Sequence, residues 1–204
     1  MLHTTLWNRN RDLADACLQH PFVQKLGDDT LDPEYFKRYI AQDAFFLQAY
    51  IRAYALSAAK CENVELIRTF HILMGGTLDE LRMHRDFSRE LGIDLKDVQP
   101  LPETLAYTDF LLRTAWHETV GVTTAAMLPC MRLYAWLGTQ LRPRLSDHHR
   151  YEKWILAYSS EGFEEMSEEL EELLDQLATD SPAVQQVYRY ALQCELNFFS
   201  APMR

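Results

Sequence analysis

Several features are missing from this 204-residue chain, and each absence excludes something. No apolar run comes near the ~20 residues that a membrane-spanning helix needs. Seven glycines and eight prolines are few and scattered, so no stretch reads as a linker and one domain over residues 1–204 is expected. No alternating apolar and polar run is bounded by turn residues, which argues against strands. The four cysteines, Cys17, Cys61, Cys130 and Cys194, are far apart and form no CxxC pair. They read as free thiols in a reducing compartment rather than a disulfide framework or a zinc site. The start of the chain, Met1 to Trp7, lacks a basic segment followed by an apolar one, so no secretory leader is expected and the cytoplasm is the expected location. Basic charge is scarce as well. Twenty Lys and Arg face thirty Asp and Glu, a formal net charge of −10. That balance disfavours nucleic acid and anionic membrane as partners, since both reward a basic surface. No Gly-rich phosphate loop and no GxSxG elbow is present.

What the chain does have is helical periodicity. Spacings of three and four between apolar residues predict helices over about 5–18, 22–26, 32–60, 64–91, 103–114, 121–141, 148–158, 162–178 and 182–199. Asp32-Pro33 and Ser181-Pro182 each give a capping side chain followed by Pro at the first helical position. The expected fold is an all-α bundle of about eight helices with short connections. No Lys or Arg occurs between Trp154 and Tyr188, and the eight acidic residues from Glu161 to Asp175 fall among Phe163, Met166, Leu170, Leu173, Leu174 and Leu177. This reads as one amphipathic helix with a solvated acidic face. His148 and His149 read as surface loop residues.

Four places carry candidate chemistry. Pro129 lies inside an apolar helical run, directly before Cys130, and Tyr134 follows on the same face. A thiol at a helix distortion can serve as a nucleophile; a small core residue is the other reading. Asp43 shares a face with Phe46 and Tyr50, where a carboxyl must find a partner or cost stability. Its partner is either structural or a ligand. Glu195 interrupts an apolar run beside Phe198, and a carboxyl in such surroundings has its pKa raised toward that of a general acid or base. The alternative is a Glu whose stem packs while its head reaches water. Glu80 and His84, one turn apart, could share a metal ion, although no second Glu-x-x-His accompanies them.

Together, Tyr39-Ile40-Ala41-Gln42-Asp43, Glu80 with His84, the Ala106-Tyr107-Thr108 turn, Leu128-Pro129-Cys130 with Leu133-Tyr134, Tyr151-Glu152-Lys153-Trp154 with Tyr158-Ser159-Ser160, and Glu195 with Phe198 resemble the TenA family, also called thiaminase II or aminopyrimidine aminohydrolase. The resemblance spans nearly the whole chain and places it with the Cys-containing branch. It implies the haem-oxygenase-like helical bundle, no cofactor or metal, and a homo-oligomer, dimer or tetramer. It also implies hydrolysis of a small aminopyrimidine or thiamine to hydroxymethyl-aminopyrimidine. By the same resemblance Cys130 adds to the pyrimidine ring and Glu195 protonates a ring nitrogen. Asp43 holds the amino group, Tyr134 and Tyr158 hydrogen-bond around the site, and Tyr107 and Phe198 sandwich the ring. Phe46 departs from the family pattern, which has a Tyr whose hydroxyl helps to activate the Cys. Two alternatives stand beside this reading: a non-catalytic pyrimidine-binding or regulatory protein, and a metal-dependent oxidase using Glu80 and His84.

Overall fold

The computed structural model describes residues 1–90, 92–93 and 98–204. Its α-helices are α1 (Leu2–Arg9), α2 (Arg11–Leu18), α3 (Pro21–Gly27), α4 (Pro33–Lys60), α5 (Val64–Glu90), α6 (Pro102–His117), α7 (Val120–Leu141), α8 (Glu152–Tyr158), α9 (Glu161–Leu177) and α10 (Pro182–Ser200). Short 3-10 turns follow α7 and α10. Among the described residues there is no strand.

Local chemistry fixes the ends of these helices. The Asp32 carboxyl accepts the Glu34 amide at 2.9 Å and Pro33 opens α4, while Ser181 accepts from Val184 N before Pro182 opens α10. Such caps satisfy amide groups that a helix start leaves without partners. Thr119 caps α7 and Ser160 caps α9 in the same manner.

The centre of the bundle is α7. Apolar side chains surround it on nearly every face, and its two buried threonines satisfy their hydroxyls by returning them to carbonyls one turn earlier: Thr123 to Thr119 at 3.0 Å and Thr124 to Val120 at 2.9 Å. Helices α4, α6, α8, α9 and α10 pack around it. Gly138 permits a close approach. A Cβ there would sit 2.5 Å from the carbonyl carbon of Tyr158, so the missing side chain lets the end of α8 lie against α7 and brings Tyr158 inward.

Some expectations need correction. The helix expected over 5–18 is two helices, α1 and α2, meeting at Asn10, whose side-chain amide donates to Leu6 O at 2.8 Å and so competes with the ladder. The helix expected from residue 148 begins at Glu152, because His148 takes φ +66°, a left-handed conformation that no helix accommodates. His149 is buried rather than on a surface loop, its Nε2 lying 3.2 Å from Gly27 O. Tyr107 lies within α6, not in a turn, since α6 extends from Pro102 to His117. Leu91, the expected end of α5, lies outside the described residues, although Gly92 beyond it has φ +68°, as a helix-stopping Gly should. The acidic face of α9 is only partly solvated. Arg132 of α7 grips Glu164 through two bonds of 2.7 and 2.6 Å and lies 3.8 Å from Glu171, while His3 reaches Asp175 at 2.9 Å. These contacts fasten α9 to α7 and to the start of the chain.

Candidate active site

Five helices enclose a narrow cavity. From α4 come Asp43, Phe46, Leu47 and Tyr50; from α5, Glu80; from α7, Cys130, Met131 and Tyr134; from α8, Tyr158; and from α9, Phe163. Helix α10 adds Glu195 behind Cys130, at a position 1% exposed. The sequence spacing explains the convergence. Residues 43, 46 and 50 repeat at three and four, so α4 presents a single inward stripe. Pro129 has no amide to donate, so the backbone of α7 is loosened one residue before the thiol.

At one end of the cavity the Tyr107 hydroxyl donates to Glu195 Oε1 at 2.7 Å, and the Cys130 thiol lies within hydrogen-bonding reach of the same carboxyl. At the other end the Tyr158 hydroxyl donates to Glu80 Oε1 at 2.6 Å. His84 Nε2 lies 3.3 Å from the Tyr158 oxygen and 3.2 Å from Asp43 Oδ2. With the Tyr158 proton committed to Glu80, its oxygen can only accept from His84, which assigns the ring proton to Nε2. The Asp43 contact is off the line of a hydrogen bond, so among the described residues Asp43 Oδ2 has no hydrogen-bond partner. Tyr39 donates to the Tyr134 hydroxyl at 3.1 Å and in turn receives the Trp154 Nε1 proton at 3.4 Å. Tyr134 is thus held at its oxygen while its own proton finds no acceptor among the described residues.

The burial of these groups decides their charge. Desolvation pushes Glu195 up to about 7, against the opposing hydrogen bonds from Tyr107 and Cys130. Desolvation likewise pushes Glu80 up to about 7, opposed by Tyr158. Asp43 is raised well above the carboxylate range, by burial first and then by the charges of Glu80 and Glu195. His84 falls to about 3 because burial disfavours the imidazolium. The Cys130 thiol is pushed well above its usual value by burial, then by Glu195, Glu80 and Asp43. An empty site therefore holds a thiol rather than a thiolate, beside a carboxyl poised to exchange its proton near neutrality.

Asp43, Phe46, Cys130, Tyr134 and Tyr158 all line the cavity, and Glu195 reaches Cys130 from behind. Tyr107 and Phe198 are not part of that lining. They flank Phe46, with ring centroids 4.7 and 5.9 Å from it. Leu47, Tyr50, Met131 and Phe163, and the bond from Tyr158 to Glu80, lie outside the expected set of site residues. Glu80 and His84 signalled themselves as a polar pair one turn apart, but that pairing reads equally as metal ligands or a surface ion pair. Among the described residues no group of three or more His, Cys, Asp or Glu is placed to hold a metal ion, so the oxidase alternative lacks a donor set there.

A family profile described as TENA/THI-4/PQQC matches residues 7–204. The chain belongs to this family. It is 34% identical over 180 residues to the aminopyrimidine aminohydrolase of Halalkalibacterium halodurans, a match that covers 85% of this chain and 80% of the relative. The aminopyrimidine aminohydrolase of Bacillus subtilis is 32% identical over 166 residues, 79% of this chain and 70% of that one. Among solved structures, a TenA homologue from P. horikoshii superposes with a TM-score of 0.91 at 24% identity, over 99% of this chain and 98% of the other. A Shewanella denitrificans domain with a heme oxygenase-like fold gives a TM-score of 0.80 at 15% identity, over 98% of this chain and 91% of that one. The all-α bundle is thus the haem-oxygenase-like fold that the sequence implied. No helix of the described residues is long and apolar enough to cross a membrane.

Phe46 supplies a first test of the site. Its ring lines the same cavity as Cys130 but offers no hydroxyl to the sulfur. In Phe46→Tyr, kcat is expected to rise by up to about tenfold if roughly 1.4 kcal/mol of the new hydrogen bond appears in the transition state, with the kinetic pKa of the thiol lowered. If the oxygen merely overpacks the wall against Tyr107, Tm falls and that pKa stays in place. A pH–rate profile of both proteins separates the outcomes.

Proposed function

We propose that this chain is a thiamine-salvage hydrolase that converts aminomethyl-aminopyrimidine to hydroxymethyl-aminopyrimidine through a Cys130 nucleophile. The observation that carries the reading is a pair at the cavity wall, the partly buried Cys130 thiol and, behind it, the buried Glu195 carboxyl, whose pKa stands near 7. The two similar aminohydrolases support the same reaction class.

The proton balance is simple. Ionised Glu195 takes the thiol proton and passes it to the ring nitrogen beside the carbon that the sulfur attacks. Addition dearomatises the ring, with Asp43 holding the ring's amino edge through Oδ2, which has no hydrogen-bond partner among the described residues. The electrons released from the ring expel the protonated amine from the exocyclic methylene carbon as neutral ammonia. Water adds to that carbon and yields one proton, which ends on the ammonia; the sulfur departs as thiolate, and Glu195 takes the proton from the ring nitrogen as aromaticity returns and hands it back to the sulfur. Tyr134, braced by Tyr39, offers its free proton to the ring, and Phe46, with Tyr107 and Phe198 tilted against it, forms an aromatic wall. The enclosure also keeps bulk water from the intermediate.

We propose further that the chain works in the cytoplasm, where its four cysteines remain free thiols, and that it assembles as a dimer or tetramer. Exposed Val64, Ile67 and Ile72 on α5 and Trp116 on α6 supply apolar surface for that assembly. Incubation of the purified protein with aminomethyl-aminopyrimidine and, separately, with thiamine tests the activity. Stoichiometric release of ammonia with hydroxymethyl-aminopyrimidine is expected. Absence of that product from both would overturn the assignment.

A further inference from the structure

The cavity holds more negative capacity than the reaction above uses. Asp43 and Glu80 line it together with the Cys130 thiol, Glu195 stands behind that thiol, and among the described residues no Lys or Arg stands in the lining. His84 is the basic side chain at its edge, and burial strips it of charge near neutral pH. Two carboxyls in one lining and a third behind the thiol, with no compensating cation among the described residues, favour an incoming positive charge. Cys130 is flanked by Tyr50, Tyr54, Tyr107 and Tyr134, whose hydroxyls are all kept neutral by the same burial. Among the described residues the site therefore has no internal cation to satisfy whichever carboxyl ionises.

Position singles out Glu80 among the three. Glu195 is tied to Tyr107 and Cys130 and is engaged in proton transfer. Asp43 sits at the amino edge. Glu80 enters from α5, and its charge acts on both Asp43 and Cys130. In the aminopyrimidine, the carbon bearing the exocyclic methylene lies between the amino-bearing carbon, at Asp43, and the attacked carbon, at Cys130. The methylene substituent then faces the carboxyl that flanks both residues. Glu80 Oε1 is oriented by Tyr158 at 2.6 Å, which is itself backed by His84, while Oε2 has no hydrogen-bond partner among the described residues.

We propose that Glu80 is a specificity-determining residue that binds the substituent of the substrate as a cation, selecting an alkylammonium leaving group over a neutral one. This rests on the hydrolase reading above and adds the charge of the group the site accepts. The Glu80 carboxylate holds the leaving nitrogen in its protonated form, in which it departs as neutral ammonia. Tyr158 and His84 are positioning residues for that carboxylate.

The test uses Cys130→Ser as a non-turnover background and calorimetric binding of two ligands that differ at one group. Aminomethyl-aminopyrimidine presents an ammonium at neutral pH, and hydroxymethyl-aminopyrimidine presents a neutral hydroxyl in the same place. Adding Glu80→Gln is expected to weaken the aminomethyl compound by about 10- to 100-fold, the worth of a hydrogen bond between charged groups. The hydroxymethyl compound should change by less than about threefold. Glu80→Asp should recover part of the loss, because it restores charge at a shorter reach. Equal weakening of both ligands, or of neither, overturns the selection by charge. Failure of the Cys130→Ser protein to bind either ligand would instead overturn the hydrolase reading, so the two failures are distinct.

Discussion

Replacing Cys130 by Ser is expected to lower turnover of aminomethyl-aminopyrimidine by at least about a thousandfold while leaving the fold in place. The exchange of sulfur for oxygen changes little volume, and Glu195 keeps its hydrogen bond from Tyr107, so that carboxyl is not orphaned. The unfolding free energy should move by less than about 1 kcal/mol. Turnover fails for a chemical reason. A thiol transfers its proton to a carboxylate near neutrality at tolerable cost, whereas an alcohol with no stronger base beside it gives up its proton far less readily. Product formation and Tm measured on one sample decide the matter. Substantial residual activity with an unchanged Tm would remove Cys130 from the mechanism.

Glu195→Gln should be nearly as severe, costing about 10²–10⁴ in kcat, the usual contribution of a positioned acid–base group. It also predicts two pH effects. In the wild type the active pair carries one proton between thiol and carboxyl, so kcat should rise as pH passes through about 7, and in Glu195→Gln this limb should vanish. The Glu80 contribution appears in KM rather than kcat, because the bound ammonium keeps that carboxylate ionised. The second effect is on stability. The folded pKa of Glu195, about 7, lies above the unfolded value near 4.5, so the native state holds a proton that the unfolded chain has released. Stability from this group is full below pH 4.5 and is lost as pH rises through 7. The rise corresponds to roughly 3 kcal/mol. Glu195→Gln carries no such penalty, so its Tm relative to wild type should be higher at pH 8 than at pH 5. A difference independent of pH would mean that the carboxyl is not buried in its charged form.

Much of this was legible in the chain itself. Apolar spacing gave the helices because a bundle helix must bury one stripe, and the Asp32-Pro33 and Ser181-Pro182 pairs marked their starts because cap chemistry is local. Asp43, Cys130 and Glu195 stood out because each is a reactive group on an apolar face, and burial of a polar side chain demands a reason. The ends that were misjudged also have local causes that composition does not reveal. Asn10 turns its side chain back onto the ladder, and His148 adopts a left-handed conformation, so α1–α2 and the start of α8 departed from the periodic pattern.

The sequence by itself determined the all-α fold, through its periodicity, and the identity of the reactive groups, through polar residues set in apolar faces. Only the tertiary structure decided how those groups act on one another. Glu80 is a solvent-face residue or a metal ligand by spacing alone. It becomes the wall of a cavity because α5 packs along α4 and because Gly138 lets Tyr158 come close enough to bind it at 2.6 Å. The pKa of Glu195 near 7, the neutral His84 and the protonated Cys130 are likewise properties of burial and mutual distance. Those quantities arise from helices far apart in the chain meeting at one point, and no local pattern of residues encodes them.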